Sequence, residues 1–208
     1  MSNYLPVGLV NKFLDDFHSG KVKFSSKEIG SGGDERFWNL NHDSALIKKL
    51  LEKLKEQKNI SLKDHDVTAM YNIIPADGIS DSGDGWHFDS RKGQIKLFCY
   101  LSDVVSENNG PISFLRFSNF FSRNIYKLFI FINFFIFKTN RLSDVHILFF
   151  KNFLFANQEI NYGKKGFFFM EDTSYPHKGS SCKISDRHAL TLYIYKKNKE
   201  PLDITKKK

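Results

Sequence analysis

Cysteine is nearly absent from this 208-residue chain; Cys99 and Cys182 are the only two, which excludes a disulfide framework. Cys99 sits in an apolar strand pattern and reads as a buried free thiol, so a reducing, cytoplasmic setting is the expectation. Arginine is also sparse: of 31 basic residues only 6 are Arg, although the formal net charge is +8. The lysines are scattered apart from Lys206-Lys207-Lys208, so the charge reads as a solvated surface, and no nucleic-acid partner is expected. Met1-Ser2-Asn3-Tyr4 lacks the basic region of a secretory leader. No apolar run reaches the roughly 20 residues of a membrane span. The longest, Leu128 to Phe137, contains Asn133, so no span is expected. Glycine and proline are missing from 112–162, although 13 of the 22 Phe fall between Phe114 and Phe155.

What is present suits one domain with a sizeable core. Leu9, Val10, Phe13, Leu14 and Phe17 recur at helical spacing over residues 5–19, ahead of Gly20. Residues 20–42, around Ser31-Gly32-Gly33, read as an irregular connection. Leu46, Ile47, Leu50, Leu51 and Leu54 then form the stripe of a second helix, from a cap at Asp43 to about Gln57. Strand patterns follow over 67–74, 85–90, 94–101, 112–117, 166–171 and 188–195. Short strands divided by Gly, Asp and Asn turns argue for a mainly β sandwich or barrel with helices packed outside. The division expected is a helical N-terminal support region at 1–66 and a β core at 67–208. Within that core the Phe-rich stretch at about 116–156 reads as an insertion or lid, since it has no turn residues.

Gly85-Trp86-His87-Phe88-Asp89 carries the chemistry. Residues two apart on a strand share a face, so His87 and Asp89 project together. His177 follows in Ser174-Tyr175-Pro176-His177-Lys178-Gly179, and Arg187 opens the last strand. Two His and a carboxylate hold non-haem Fe(II) on one triangular face and leave open positions opposite. A single H-x-D is weak, with about 0.5 expected by chance in such a composition. Its company strengthens it. Arg187, Ala189, Thr191 and Tyr193 share a strand face suited to a barrel interior, whereas His188 points the other way. Lys96 and Tyr71, on strand patterns, are further candidates for the site, and a one-residue rotation would turn either outward. His18, His42, His65, His146 and His188 read as structural or exposed.

Trp86-His87-Phe88-Asp89, Tyr100-Leu101-Ser102-Asp103-Val104 running into Glu107-Asn108-Asn109-Gly110-Pro111, and Asp172-Thr173 through His177-Lys178-Gly179 to Arg187 together resemble the Fe(II)/2-oxoglutarate dioxygenases. Within them the likeness is to the phytanoyl-CoA dioxygenase-like group, over residues 67–195. The resemblance implies a double-stranded β-helix, or jelly roll, with the metal in its mouth. It implies Fe(II) on His87, Asp89 and His177, and 2-oxoglutarate as cosubstrate with its distal carboxylate on Arg187. Lys96 and Tyr71 would make additional cosubstrate contacts. The implied reaction is hydroxylation of a small or carrier-bound organic molecule by O₂, with succinate and CO₂ released. Two departures stand out. Leu115-Arg116-Phe117-Ser118-Asn119 replaces a Pro-Gly-Ser-His-like turn, and Ala189 stands where some relatives have Ser. The competing reading is a catalytically inactive jelly-roll protein whose aromatic segment binds a hydrophobic partner.

Overall fold

The computed structural model describes residues 3–30, 32–58, 60–61, 63–76, 85–90 and 93–197. Met1, Ser2, Ser31 and the terminal lysines, all used in the sequence reading, lie outside them. Among the described residues four helices and nine strands follow in the order α1 (Val7–His18), β1 (Ser26–Ile29), β2 (Glu35–Trp38), α2 (Ala45–Lys58), β3 (His65–Ile74), β4 (Ile95–Tyr100), β5 (Ile112–Phe117), α3 (Phe120–Phe137), α4 (Asp144–Phe153), β6 (Ala156–Asn161), β7 (Phe168–Asp172), β8 (His177–Gly179) and β9 (Arg187–Lys196). The strands form two antiparallel sheets, ordered β1-β2-β3-β9-β4-β7 and β6-β5-β8.

Period-two alternation assigns the two faces of the larger sheet. Ala69 and Tyr71, Leu97 and Cys99, and Leu190, Leu192 and Ile194 point to one side and join Val10, Phe13, Leu46, Ile47, Leu50 and Leu54 of the N-terminal helices in one core. Phe98, Tyr100 and Ala189 point to the other side, where Phe169 of β7 and Ile112 and Phe114 of β5 meet them between the sheets. α1 and α2 match the helical stripes. The cap of α2 is Ser44 rather than Asp43, since Ser44 Oγ accepts the Ile47 N–H at 3.2 Å.

Two stretches differ from the sequence reading. The connection at 20–42 is not irregular throughout: β1 and β2 form a hairpin that extends the larger sheet, pairing Phe37 with Tyr71. Its strands are four residues each, too short for alternation to show above the surrounding Gly and Ser. The Phe-rich insertion is a pair of helices. α3 starts at Asn119, whose side chain accepts from Ser122 N at 2.7 Å, and ends at Lys138 in the left-handed region, φ 51°. α4 starts with a reciprocal capping box between Ser143 and His146. These caps use neither glycine nor proline, which explains how the segment turns without them. Tyr126 and Ile130 of α3 and Ile147 and Phe150 of α4 pack on Leu115 and Phe117 of the smaller sheet.

Candidate metal and cosubstrate site

His87 and Asp89 come from the segment between β3 and β4, and His177 opens β8. The strand expected at 85–90 is shorter than the pattern suggested: His87 makes isolated bridges to His177 and Arg141 rather than joining a ladder. The segment is nonetheless tied from several sides. His87 N donates to His177 O at 3.0 Å, His177 N returns to His87 O at 2.9 Å, Phe88 N reaches Asn140 O at 3.1 Å, and Asp89 N reaches Thr173 O at 2.9 Å. These bonds bring the two imidazoles together, with ring centroids 4.3 Å apart.

Each ring is also fixed in rotation. His87 Nδ1 lies 2.9 Å from Gly85 O and His177 Nδ1 lies 3.0 Å from Tyr175 O. A carbonyl only accepts, so both Nδ1 atoms hold the proton and both Nε2 atoms present lone pairs. Those lone pairs converge on Asp89, with His87 Nε2 3.7 Å from Oδ1 and His177 Nε2 3.3 Å from Oδ2. One ligand atom from each of the three residues lies within 4.8 Å of the others. Burial pushes the His87 imidazole down to about 3, so it is neutral at neutral pH as a metal ligand must be. Burial opposes the charge on Asp89, but the Lys96 ammonium holds its carboxyl well below the usual carboxylate range.

Lys96 lies on the inner face of β4, with Nζ 2.7 Å from Asp89 Oδ2 and 4.3 Å from the Tyr193 ring centroid. Arg187 is 3% exposed, and Nη1 donates to Gly110 O. Its Nε has no hydrogen-bond partner among the described residues, and the buried Gln94 side-chain nitrogen is in the same position. Gly110 is held tightly in turn. Its φ is +70°, and a Cβ there would fall 2.5 Å from Cys182 Sγ. His87, Asp89, Gln94, Lys96, His177 and Arg187 all line one cavity of about 230 Å³, together with Ala189, Thr191 and Tyr193 of β9.

Tyr71 does not belong to this group. It pairs with Leu190, and cross-strand partners share a face, so its ring lies in the helix-covered core with no exposure. Its hydroxyl meets His188 Nδ1 at 2.5 Å, which accounts for both residues as structure. Its neighbours Met70 and Asn72, one residue either side, line the cavity instead. Sequence reasoning also passed over Gln94, Arg36 and Trp38 of β2, and Asn140 and Arg141 from the turn between α3 and α4. Alternation around Tyr71 carried the signal for Met70 and Asn72. Arg36, Asn140 and Arg141 had none, because they lie where the local structure was misjudged.

No protein-family model matches the chain, and no curated protein is similar to it. Solved structures are. HygX from Streptomyces hygroscopicus, with nickel and 2-oxoglutarate bound, superposes with a TM-score of 0.60 at 10% identity, over 95% of this chain and 82% of that one. A prolyl-4-hydroxylase from Pseudomonas putida gives 0.55 at 13% identity, over 95% and 91%. SnoK, a non-haem α-ketoglutarate-dependent carbocyclase from nogalamycin biosynthesis, gives 0.58 at 9% identity, over 91% and 76%. The chain therefore has the jelly-roll fold of the non-haem iron, 2-oxoglutarate-dependent oxygenases.

Proposed function

We propose that the chain is an Fe(II)/2-oxoglutarate-dependent oxygenase that hydroxylates a small or carrier-bound organic substrate. The observation that carries the reading is the pair of fixed imidazoles whose Nε2 lone pairs meet the Asp89 carboxylate in a cavity also lined by a buried guanidinium. The residues fit both groups. His87, Asp89 and His177 offer neutral nitrogen and anionic oxygen in the two-His, one-carboxylate set typical of non-haem iron. The unpartnered Nε of Arg187 and side-chain nitrogen of Gln94 are donors that a bound dicarboxylate would satisfy. Iron held there would supply oxidation of a substrate C–H bond by O₂, coupled to conversion of 2-oxoglutarate to succinate and CO₂.

The chain's own residues bind, orient and exclude. Gly85 O and Tyr175 O keep both imidazoles in the ligating tautomer. Arg187 provides a fixed fork for the distal carboxylate, and Phe98, Ile112 and Ala189 give the cavity an apolar wall. Lys96 balances Asp89 and is long enough to turn its ammonium to an acid bound beside it. Arg36, Asn140 and Arg141 line the same cavity and are placed to choose the substrate. A carboxylate at position 89 favours hydroxylation, because it occupies the ligand position that halide would need in halogenation. The buried free thiols Cys99 and Cys182 fit a reducing, cytoplasmic setting.

The test is anaerobic addition of Fe(II) and 2-oxoglutarate to the purified protein. A weak visible absorption band that needs both additions, and that Asp89→Ala abolishes, is the expected result. Absence of the band with the native sequence would move the assignment to a binding protein without catalysis.

A further inference from the structure

The outer side of the α3–α4 pair is far more apolar than a protein surface facing only water. Leu128, Phe131, Ile132, Phe135 and Ile136 recur at three- and four-residue spacing on one side of the C-terminal half of α3 and are all exposed, Phe135 59% and Ile136 65%, with exposed Phe137 at the helix end. Leu148, Phe149 and Phe153 extend the exposed apolar character onto α4. Patches of this kind mark a surface that is covered in use. The exposed charges next to it in the chain are of one sign: Lys127 immediately precedes the patch and Lys138 immediately follows it, while Asp144 is the single acid in residues 120–155.

We propose that this face docks on an anionic phospholipid bilayer, lying in the headgroup boundary without crossing it. The flanking lysines select the occupant. A two-fold contact between copies would lay the patch on itself and bring Lys127 and Lys138 of one copy toward those of the other. An anionic bilayer supplies both the apolar interior for the Phe and Ile side chains and the negative charge for the lysines.

α3 is long and apolar enough to cross a membrane by length and composition. Its inner side is committed elsewhere. Ser122, Tyr126, Ile130 and Asn133 are buried against the body, Tyr126 Oη donates to Ser174 O at 2.7 Å, and Arg123 Nε donates to Phe117 O at 3.1 Å. The helix therefore lies on the protein and offers one side outward. Asn140 and Arg141, in the turn between the two helices, line the catalytic cavity, so docking places that cavity beside the headgroup layer.

Sedimentation of the full chain with phosphatidylcholine vesicles, and with vesicles that also contain phosphatidylglycerol, tests this. Expected is co-sedimentation with the phosphatidylglycerol vesicles and release by alkaline carbonate. The pair Phe135→Asp and Ile136→Asp should abolish it, and Lys127→Glu with Lys138→Glu should weaken it about tenfold. These positions are exposed, and an unchanged circular dichroism spectrum confirms folding; should the Asp pair misfold, the Glu pair decides alone. No sedimentation with either vesicle, equal sedimentation with both, resistance to carbonate, or a dimer in light scattering that the Asp pair disperses would overturn the proposal.

Discussion

The imidazoles of His87 and His177 each give Nδ1–H to a carbonyl two residues back, Gly85 O and Tyr175 O, so the backbone itself leaves Nε2 as the nitrogen free to ligate. Single substitutions Asp89→Ala and His177→Ala are accordingly expected to lose tight iron binding, read as metal content after gel filtration. Stoichiometric iron in either variant would break the ligand assignment. Arg187→Ala should leave metal content intact while raising the 2-oxoglutarate requirement by orders of magnitude, since an unpaired buried carboxylate costs several kcal/mol. Titration of the visible band with 2-oxoglutarate measures it. The same buried ring sets a pH dependence. His87 is held at about 3 in the folded chain against an ordinary 6.5, so the unfolded chain binds more protons between those values and stability falls as pH drops through that window. The slope from His87 alone is at most about 1.4 kcal/mol per pH unit. Burial also lowers His42 and His188, adding in the same direction. Urea midpoints at neutral pH and near pH 5 should show the drop, and His87→Gln should reduce it, leaving the part due to His42 and His188. At this scale the sequence was informative about His87, Asp89, His177, Lys96 and Arg187, which share one cavity, because a short motif and strand parity place such residues directly. Tyr71 was misplaced by one residue of parity, which only the β3–β9 register decides.

Elements were legible in proportion to how one-sided their patterns are. α1 and α2 each carry an apolar stripe against charge, and both were evident in the chain. α3 and α4 were not, because apolar side chains on all sides erase the period that identifies a helix. Their ends gave no help either, since α3 stops on a left-handed Lys138 where glycine would be looked for. Packing separates the inner and outer sides of the pair. Phe150 is fully buried and meets Phe117, Tyr126 and Phe129 at centroid distances of 5.8, 5.4 and 5.1 Å. Phe150→Ala should cost about 3–5 kcal/mol in urea unfolding. Phe153, 70% exposed on the same helix, should change it by less than about 0.5 kcal/mol when replaced by Ala. Equal effects would mean that the two helices are not seated on the smaller sheet as described.

Across the whole molecule the cavity depends on segments far apart in the chain. The ligand segment at 85–90 is secured by backbone bonds from residues 140, 142, 173 and 177, and none of these belongs to a neighbouring element in sequence. This is why the jelly roll was legible as a class while the mouth of the barrel was not: pairing partners 50 to 90 residues away leave no local signal. The carbonyl that accepts from Arg187 belongs to Gly110, 77 positions earlier. A methyl group on Gly110 would meet Cys182 Sγ and Ser180 O, and the residue's φ of +70° disfavours any side chain. In a screen for activity, then, Gly110→Ala is expected to mimic a lesion at Arg187: turnover restored by excess 2-oxoglutarate, iron content normal, and the responsible base change nowhere near the codons for His87, Asp89 and His177.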